Sequence, residues 1–314
     1  MTLEKPSESF WLKSYRLHED HEKTQTGERM QTWKQLDTVD AWRHQQMYDS
    51  VLPLLHEYPE ASWLTLGDGR YGTDANFLLR NNAKDVLATS ISDELLKISC
   101  ADGFISKYKV ENAEHLSFAD NSFDFVLCKE SYHHFPRPMV AFYEMLRVAR
   151  YAVIIIEPND VNLSTVKAAK TVVKPKNKIQ LVKDFVKDML GMERYHYHSY
   201  NPAGYETLGN YIYATSKREF EKAALGLNLP IVAFKGINDH YEDGVEYEKA
   251  ADDSPMFIKV KNAIAAADEA CKLTGSPYNI LVSFIFNIAP DEKALTQLAA
   301  AGFTVERLPR NPYV

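Results

Sequence analysis

The sequence predicts an α/β protein with a doubly wound, mostly parallel sheet of seven strands and helices on both of its faces. From Ser62 onward, short apolar runs alternate with helix-length amphipathic stretches, which is typical of successive βαβ units. The first apolar run leads into a glycine-rich turn followed by a helical pattern, as in sheets that bind a ligand beyond the first strand. Hydrophobic residues make up 45% and charged residues 25% of the chain, as is usual for a globular protein.

The first 60 residues are predicted to form an N-terminal helical extension. Between Phe10 and Tyr58 the sequence has no strand-like alternation. Apolar residues there recur at mixed spacings of three and four, namely Trp33, Leu36, Val39 and Trp42. We expect these helices to close over a ligand bound at the sheet, with Trp33 or Trp42 as core anchors.

The sheet is predicted from seven apolar runs, at 63–66, 86–89, 108–110, 123–128, 152–157, 231–234 and 280–288. The amphipathic stretches predict helices at 73–80, 93–101, 139–147, 256–272 and 292–301. One further helix should begin after Ser216, because Glu219 stands three residues later as in a capping box, and should end near Gly226. The short run 303–308 reads as an appended segment.

These elements divide the chain into four parts. Residues 61–157 form the first half of the sheet, and 206–314 form the remainder with a C-terminal extension. Residues 158–205, after strand five, break the rhythm and read as an insertion that could close over a substrate. The lysines between 167 and 187 suit an anionic substrate, and the aromatic-rich stretch from Tyr195 to Tyr200 suits a sugar-like one.

The charge balance and the cysteines exclude several classes. The chain has 43 acids and 36 bases, so general nucleic-acid binding is disfavoured. The three cysteines are widely spaced without a CxxC pair, which argues against a disulfide framework or a zinc site. No apolar run reaches the roughly 18 residues that span a bilayer, and no signal peptide is recognisable. We therefore expect a cytoplasmic protein without a membrane partner.

The glycine-rich turn is the most informative segment. Gly67, Gly69 and Gly72 follow a predicted strand and satisfy the GxGxxG pattern, in which a ligand presses against bare backbone. The pattern serves NAD-dependent oxidoreductases and other nucleoside-binding enzymes alike. Both demand an acid about 20 residues on, at the end of the second strand, to bind ribose hydroxyls. Ser90 stands there, so this position does not separate the two classes.

Downstream motifs do separate them. An Asn-Ala-Glu loop at 112–114 is followed by Ser-Phe-Asp at 122–124 and by Tyr-His-His-Phe at 132–135. With this ordered block, the chain resembles the class I S-adenosylmethionine-dependent methyltransferases, particularly their small-molecule, methyltransferase type 11-like group. The resemblance covers roughly residues 61–159. It implies a Rossmann-like fold and S-adenosyl-L-methionine as cofactor.

The resemblance also implies which residues bind that cofactor. The glycine turn would lie beneath its amino-acid end, with Asp68 facing the ammonium group. The end of the second strand would meet the ribose and adenine, and the 112–114 loop the adenine edge. The implied cofactor-binding residues are Gly67, Asp68, Gly69, Ser90, Ile91, Asn112, Ala113, Glu114 and Lys129.

Three positions depart from the family pattern. Thr65, Ser90 and Asn112 stand where the family usually has an acid, so each weakens a polar contact to the cofactor. The leading hypothesis is methyl transfer to a small-molecule or glycan-type acceptor by in-line displacement. These departures motivate an alternative, a protein that binds S-adenosylmethionine with weak or no transferase activity. An NAD-type oxidoreductase is a further, less favoured alternative.

Candidate catalytic residues follow from the sheet. Ligands of a doubly wound sheet lie beyond the carboxyl ends of its strands, so loops after strands four and six should face the methyl group. The candidates on these loops are His133, His134, Asp239 and His240. A packing role for the histidines is the competing interpretation. Their spacing does not favour a metal site, so no metal is expected. A homodimer, formed through the terminal extensions, is a further expectation.

Overall fold

Eight strands form one sheet in the computed structural model, which describes residues 9–24, 28–160 and 205–313. The strands are β1 (Ser62–Leu66), β2 (Asp85–Ser90), β3 (Tyr108–Val110), β4 (Phe123–Lys129), β5 (Ala149–Pro158), β6 (Ile231–Ile237), β7 (Ile280–Phe286) and β8 (Thr304–Arg307). The helices are α1 (Phe10–Thr24), α2 (Glu28–Thr32), α3 (Val39–Tyr48), α4 (Leu52–Glu57), α5 (Thr73–Arg80), α6 (Glu94–Ala101), α7 (Pro138–Val148), α8 (Lys217–Gly226), α9 (Pro255–Thr274) and α10 (Glu292–Ala300).

The strand order is β3-β2-β1-β4-β5-β7-β6-β8. The first five strands in that order are parallel, whereas β7 is antiparallel to both of its neighbours and β8 is antiparallel to β6. The chain runs outward from β1 to β3 and then returns to β4 on the other side of β1. A crevice therefore opens beyond the carboxyl ends of β1 and β4, which is where ligands bind in such sheets.

Helices cover both faces of the sheet, as predicted. Alternate residues of one strand enter two separate cores, with Ile154 and Ile156 in one and Val153 and Ile155 in the other. The first core is closed by α4, α5, α6 and α10, and the second by α7 and α8. Burial of both faces explains why the central strands read as continuous apolar runs.

The prediction of seven strands is wrong, because the appended run at the C-terminal end is an eighth strand. Thr304–Arg307 pairs with β6, with Ala233 opposite Val305. The side chains of this strand are exposed or only partly buried, so its sequence lacks the apolar signal of the inner strands. Its pairing covers the edge of β6, which would otherwise present unpaired backbone groups.

Most other elements lie where the sequence predicts them. Helix α5 has the predicted bounds, and the predicted cap of α8 is confirmed, since the Ser216 hydroxyl accepts a hydrogen bond from the Glu219 amide at 3.3 Å. The described part of the N-terminal extension contains the four helices α1 to α4. The predicted insertion lies outside the described residues except for its ends, and the domain boundaries and the homodimer stay predictions. No described helix is long and apolar enough to cross a membrane.

Helix α3 is anchored over the end of β6, far along the chain. The Val39 amide donates to the Glu248 carbonyl and the Ala250 amide donates to the Asp37 carbonyl, both at 2.8 Å. Val39 also packs in a small apolar core with Val245 and Phe257. These contacts hold the N-terminal extension across the carboxyl ends of the strands.

Candidate active site

A cavity of about 1240 Å³ lies at the crevice between β1 and β4. Its walls come from the glycine turn, from the ends of β2 and β4, and from the N-terminal helices α1 and α3. All nine predicted cofactor-binding residues border it. The predicted catalytic residues divide, since His134 and Asp239 border the cavity and His133 and His240 do not.

The glycine turn presents bare backbone to this cavity. Gly67 has φ +70°, and a Cβ added there would lie 2.5 Å from the Cβ of Ser131. A Cβ added at Gly69 would lie 3.0 Å from both the Ser90 hydroxyl and a carboxylate oxygen of Glu22. A side chain at Gly67 would collide with Ser131, and one at Gly69 would crowd Ser90 and Glu22, so the turn requires glycine at both positions.

The Asp68 carboxylate lies on the cavity wall and is bound to the start of α5. It accepts hydrogen bonds from the backbone amides of Asp74 and Ala75, at 3.1 and 2.9 Å, and from the Thr65 hydroxyl at 2.8 Å. Burial, with the nearby Asp74 carboxylate, raises the pKa of Asp68 well above its usual value. Asp68 therefore holds the turn against the first amides of α5, and Thr65 serves this contact.

The end of β2 meets helix α1. The Ser90 hydroxyl donates to the two carboxylate oxygens of Glu22, at 2.8 and 3.0 Å. Burial raises the pKa of Glu22 to about 7. The neighbouring Ile91 borders the cavity beside them. An acid thus stands at this point of the sheet although β2 itself ends in a serine.

In the predicted adenine loop, the side chains of Asn112 and Glu114 also form hydrogen bonds with other groups of the protein. The Asn112 side-chain oxygen accepts from the Glu114 amide at 2.9 Å. The Glu114 carboxylate accepts from the backbone amide of Arg137 at 2.7 Å, from its guanidinium at 2.6 Å and from the Tyr15 hydroxyl. Burial and this carboxylate raise the pKa of Tyr15 to about 12. Buried Ala113 lies between the two side chains on the cavity wall.

Lys129, the last residue of β4, is the centre of a buried polar network. Its ammonium lies 2.8 Å from Nδ1 of His44, 2.7 Å from the Glu130 carboxylate and 4.9 Å from the Tyr48 ring centre. Burial lowers the pKa of Lys129, but Glu130 and Asp74 outweigh it and leave the pKa raised. The lysine therefore keeps its proton beneath the cavity.

Asp239 is held by an arginine of α3. The Arg43 guanidinium donates to one Asp239 carboxylate oxygen at 2.8 Å and contacts the other, and it donates to Asp40 at 2.8 Å. Arg43 is only 5% exposed. Asp239 therefore closes the cavity through an ion pair, and a role as base would require it to leave Arg43.

The two adjacent histidines have different surroundings. Nδ1 of His133 lies 2.5 Å from the buried Glu157 carboxylate, which also accepts from the Ser131 and Tyr132 amides at 2.7 Å. Burial lowers the pKa of His133, but Glu157 outweighs it and the pKa is raised. His134 borders the cavity, with its Nδ1 2.9 Å from the Glu206 carboxylate. The structure thus gives His133 a packing position and His134 a cavity position.

His240 does not reach the cavity. Its Nε2 lies 2.8 Å from the Glu242 carboxylate, and its side chain is 39% exposed. The sequence analysis expected it to face the methyl group, whereas in the structure it is absent from the cavity wall. Among the described residues, no group of three His, Cys, Asp or Glu side chains could hold a metal ion.

Several polar residues on the cavity wall were missed by the sequence analysis: Tyr15, His18, Glu22, Arg43 and His44. All of them come from the N-terminal extension, which was expected to close over a ligand but in which only Trp33 and Trp42 were given a role. One local signal was available, since the first three are spaced three and four residues apart and share a helix face.

Comparison with known proteins identifies the central segment. Residues 64–156, just under a third of the chain, match the model of the family described as a methyltransferase domain. No curated protein matches the chain.

Solved structures overlap the chain weakly. An S-adenosylmethionine-dependent methyltransferase from Thermotoga maritima is 11% identical, with 89% of this chain and 100% of that chain covered and a TM-score of 0.43. The YcgJ protein from Bacillus subtilis is 17% identical, with 77% and 100% covered and a TM-score of 0.42. Magnesium protoporphyrin IX methyltransferase from Synechocystis, with bound S-adenosylhomocysteine, is 15% identical, with 78% and 84% covered and a TM-score of 0.39. Overlaps this weak indicate nothing about the acceptor of this chain.

Proposed function

We propose that the chain is a class I S-adenosylmethionine-dependent methyltransferase that methylates a small-molecule or glycan-type acceptor by in-line displacement. The size of the cavity carries the proposal. At about 1240 Å³ it exceeds the roughly 300–1000 Å³ of a site for one drug-sized ligand. A cofactor on the glycine turn would leave room for an acceptor beside it.

The residues present fit S-adenosylmethionine. The glycine turn borders the cavity, and Ser131, Ser90 and Glu22 pack so closely on Gly67 and Gly69 that a Cβ at either would collide with or crowd them, so the backbone there stays bare toward a ligand. Bound S-adenosylmethionine supplies an electrophilic methyl group. The backbone of the turn, with Ile91 and Ala113 on the wall, would bind and orient it.

The charge of the wall favours a neutral or cationic acceptor. Among the described lining residues, ten carry carboxylates and four carry lysine or arginine side chains. One of those bases, Arg43, is already paired with Asp40 and Asp239. An anion would enter against this field. The lysine-rich stretch from which an anionic acceptor was predicted lies outside the described residues.

The chain's own contribution is alignment, exclusion of water and, for an acceptor that must lose a proton, a base. Helices α1 and α3 cover the cavity, which shields the reacting groups. We assign the role of base to His134, because it borders the cavity and Glu206 orients its ring. His133 and Glu157 support the loop on which His134 lies.

The test is methyl transfer by the purified full chain, offered S-adenosylmethionine with panels of amines, phenols, sugars and carboxylic acids. We expect S-adenosylhomocysteine release with a neutral or cationic acceptor and a product heavier by one methyl group. Release with anionic acceptors alone would contradict the assigned acceptor class. Binding of S-adenosylhomocysteine without turnover on any panel would favour the alternative, a binding protein with weak or no activity.

A further inference from the structure

The ribose of a nucleoside bound on this sheet needs a hydrogen-bond acceptor at the end of β2. In doubly wound sheets an acid at that position accepts from the ribose hydroxyls. Here β2 ends in Ser90, whose hydroxyl already donates its hydrogen bond to a carboxylate. From β2 alone, the ribose would have one neutral oxygen as its partner.

The carboxylate that binds Ser90 comes from the N-terminal extension. Glu22 lies on α1, 68 positions before Ser90, and both of its carboxylate oxygens are within 3.0 Å of the serine hydroxyl. One of these oxygens is also 3.0 Å from the position of a Cβ at Gly69. The Glu22 carboxylate therefore stands in the corner between the glycine turn and the end of β2, on the cavity wall.

The surroundings of Glu22 favour a ligand rather than a structural role. Its hydrogen bonds within the described chain come from a neutral donor, the Ser90 hydroxyl, and the charge acting on it is another acid, Glu19. A partly buried carboxylate without a cation is unfavourable. The Ser92 hydroxyl is buried beside it without a hydrogen-bond partner in the described residues. A pair of ribose hydroxyls would supply further donors to this corner.

We propose that Glu22 is the ribose-binding carboxylate of this methyltransferase and takes the place of the acid that β2 lacks. The proposal rests on S-adenosylmethionine binding in this cavity and is independent of the acceptor. Helix α1 then belongs to the cofactor site. On the same face as Glu22, Tyr15 contacts Glu114, and His18 lies 2.9 Å from the Asn210 side-chain oxygen.

The first experiment measures the dissociation constant of S-adenosylhomocysteine by calorimetry for the wild type, Glu22→Gln and Glu19→Gln. We expect Glu22→Gln to weaken binding by about tenfold to hundredfold, the loss of a charge-assisted hydrogen bond. Glu19→Gln removes the same charge from the same helix at a residue paired with exposed Lys23, and should change binding by less than about twofold. Equal affinity of wild type and Glu22→Gln would overturn the proposal.

A second ligand separates ribose binding from packing of α1. The 2′,3′-dideoxy analogue of S-adenosylhomocysteine lacks the hydroxyls, so Glu22→Gln should hardly change its affinity. If the substitution weakens both ligands equally, Glu22 acts through the helix and the assignment is wrong. Failure of the wild type to bind either ligand would instead refute the cofactor placement itself.

The third experiment moves the acid back to β2. In the Glu22→Gln protein, Ser90→Asp should improve S-adenosylhomocysteine binding by about tenfold, because it restores one carboxylate in the corner. In the wild type, Ser90→Asp should weaken binding, because two carboxylates would then share the corner. If Ser90→Asp alone, with Glu22 intact, binds S-adenosylhomocysteine more tightly than the wild type, Glu22 does not occupy the ribose position.

Discussion

The motif block at 64–134 and the N-terminal helices α1 and α3 line one cavity, but Asp68 and Asn112 of the block use their side chains differently from Glu22 and Arg43 of the helices. In the motif block, Asp68 and Asn112 bind backbone amides of that same block. In the helices, Glu22 and Arg43 reach across to Ser90 and Asp239, on distant parts of the chain. Asp68 and Asn112 thus fix the backbone around the site, whereas Glu22 and Arg43 join the N-terminal helices to other segments of its wall.

The largest effect is expected from Gly67→Ala, which tests the shape of the glycine turn. Gly67→Ala should abolish S-adenosylhomocysteine binding and lower the free energy of unfolding by about 2–5 kcal/mol, because its Cβ would lie 2.5 Å from Ser131 at a positive φ. Calorimetry and urea denaturation measure both. Gly103→Ala is the matched control, since Gly103 has φ +74° with nothing within 4 Å of an added Cβ. Equal behaviour of the two variants would show that space at the turn does not matter.

Arg43 tests whether the N-terminal helices hold the cavity together. Arg43→Met should lower the free energy of unfolding by about 3 kcal/mol, because it leaves the Asp40 and Asp239 carboxylates buried without their cation. Urea denaturation measures the change. The control is Arg307→Met, which breaks an ion pair with Glu292 whose side chains are 59% and 81% exposed. That loss should stay below about 1 kcal/mol. Similar losses for both would mean that the Arg43 pair is no more than a surface contact.

Glu157 tests a buried contact at the end of β5, on the sheet side of the site. Glu157→Gln should lower the free energy of unfolding by about 1.5–3 kcal/mol, because the carboxylate accepts from two amides and from His133. The raised pKa of His133 makes part of this stability present below pH about 6.5 and lost as the histidine deprotonates. The difference from the wild type should therefore be larger at pH 5.5 than at pH 8.5 in urea titrations. A difference that grows with pH would contradict the pairing.

The smallest expected effect is that of Glu22→Gln, which should raise the stability of the ligand-free protein instead of lowering it. Burial raises the pKa of Glu22 from 4.5 to about 7, so the unfolded chain ionises first and the folded protein loses stability as pH rises through this window. Glu22→Gln should thus stabilise the ligand-free protein at pH 8. The carboxylate is partly exposed and solvent screens its charge, so the gain should be about 1 kcal/mol, with a rise in Tm of about 2–4 °C.

At pH 4 the Glu22→Gln and wild-type proteins should melt together, because the carboxyl is protonated in both states. Thermal denaturation in the two buffers provides the measurement, with Glu19→Gln as the control. Gain of stability with loss of cofactor affinity is the pattern of a residue kept for function. Destabilisation by Glu22→Gln at pH 8 would instead indicate a structural role.

Local patterns account for much of the fold and for the position of the site. Helix α5 and the cap at Ser216 were predicted because spacing and capping depend on residues a few positions apart. The short strand β8 was not, because it is held by pairing with β6 rather than by its own apolar pattern. In the same way, Gly67 marks the site by a backbone requirement that no other residue meets as easily.

The amino-acid sequence by itself determined the class of sheet, the ligand-binding turn and the methyltransferase resemblance, because each is written in short, ordered stretches. The tertiary structure decided how the polar groups are used. It turned Asp68 inward to α5, paired Asp239 with Arg43 and set Glu22 against Ser90. These outcomes depend on packing between segments far apart in the chain, where residue spacing carries no information about which side chains meet.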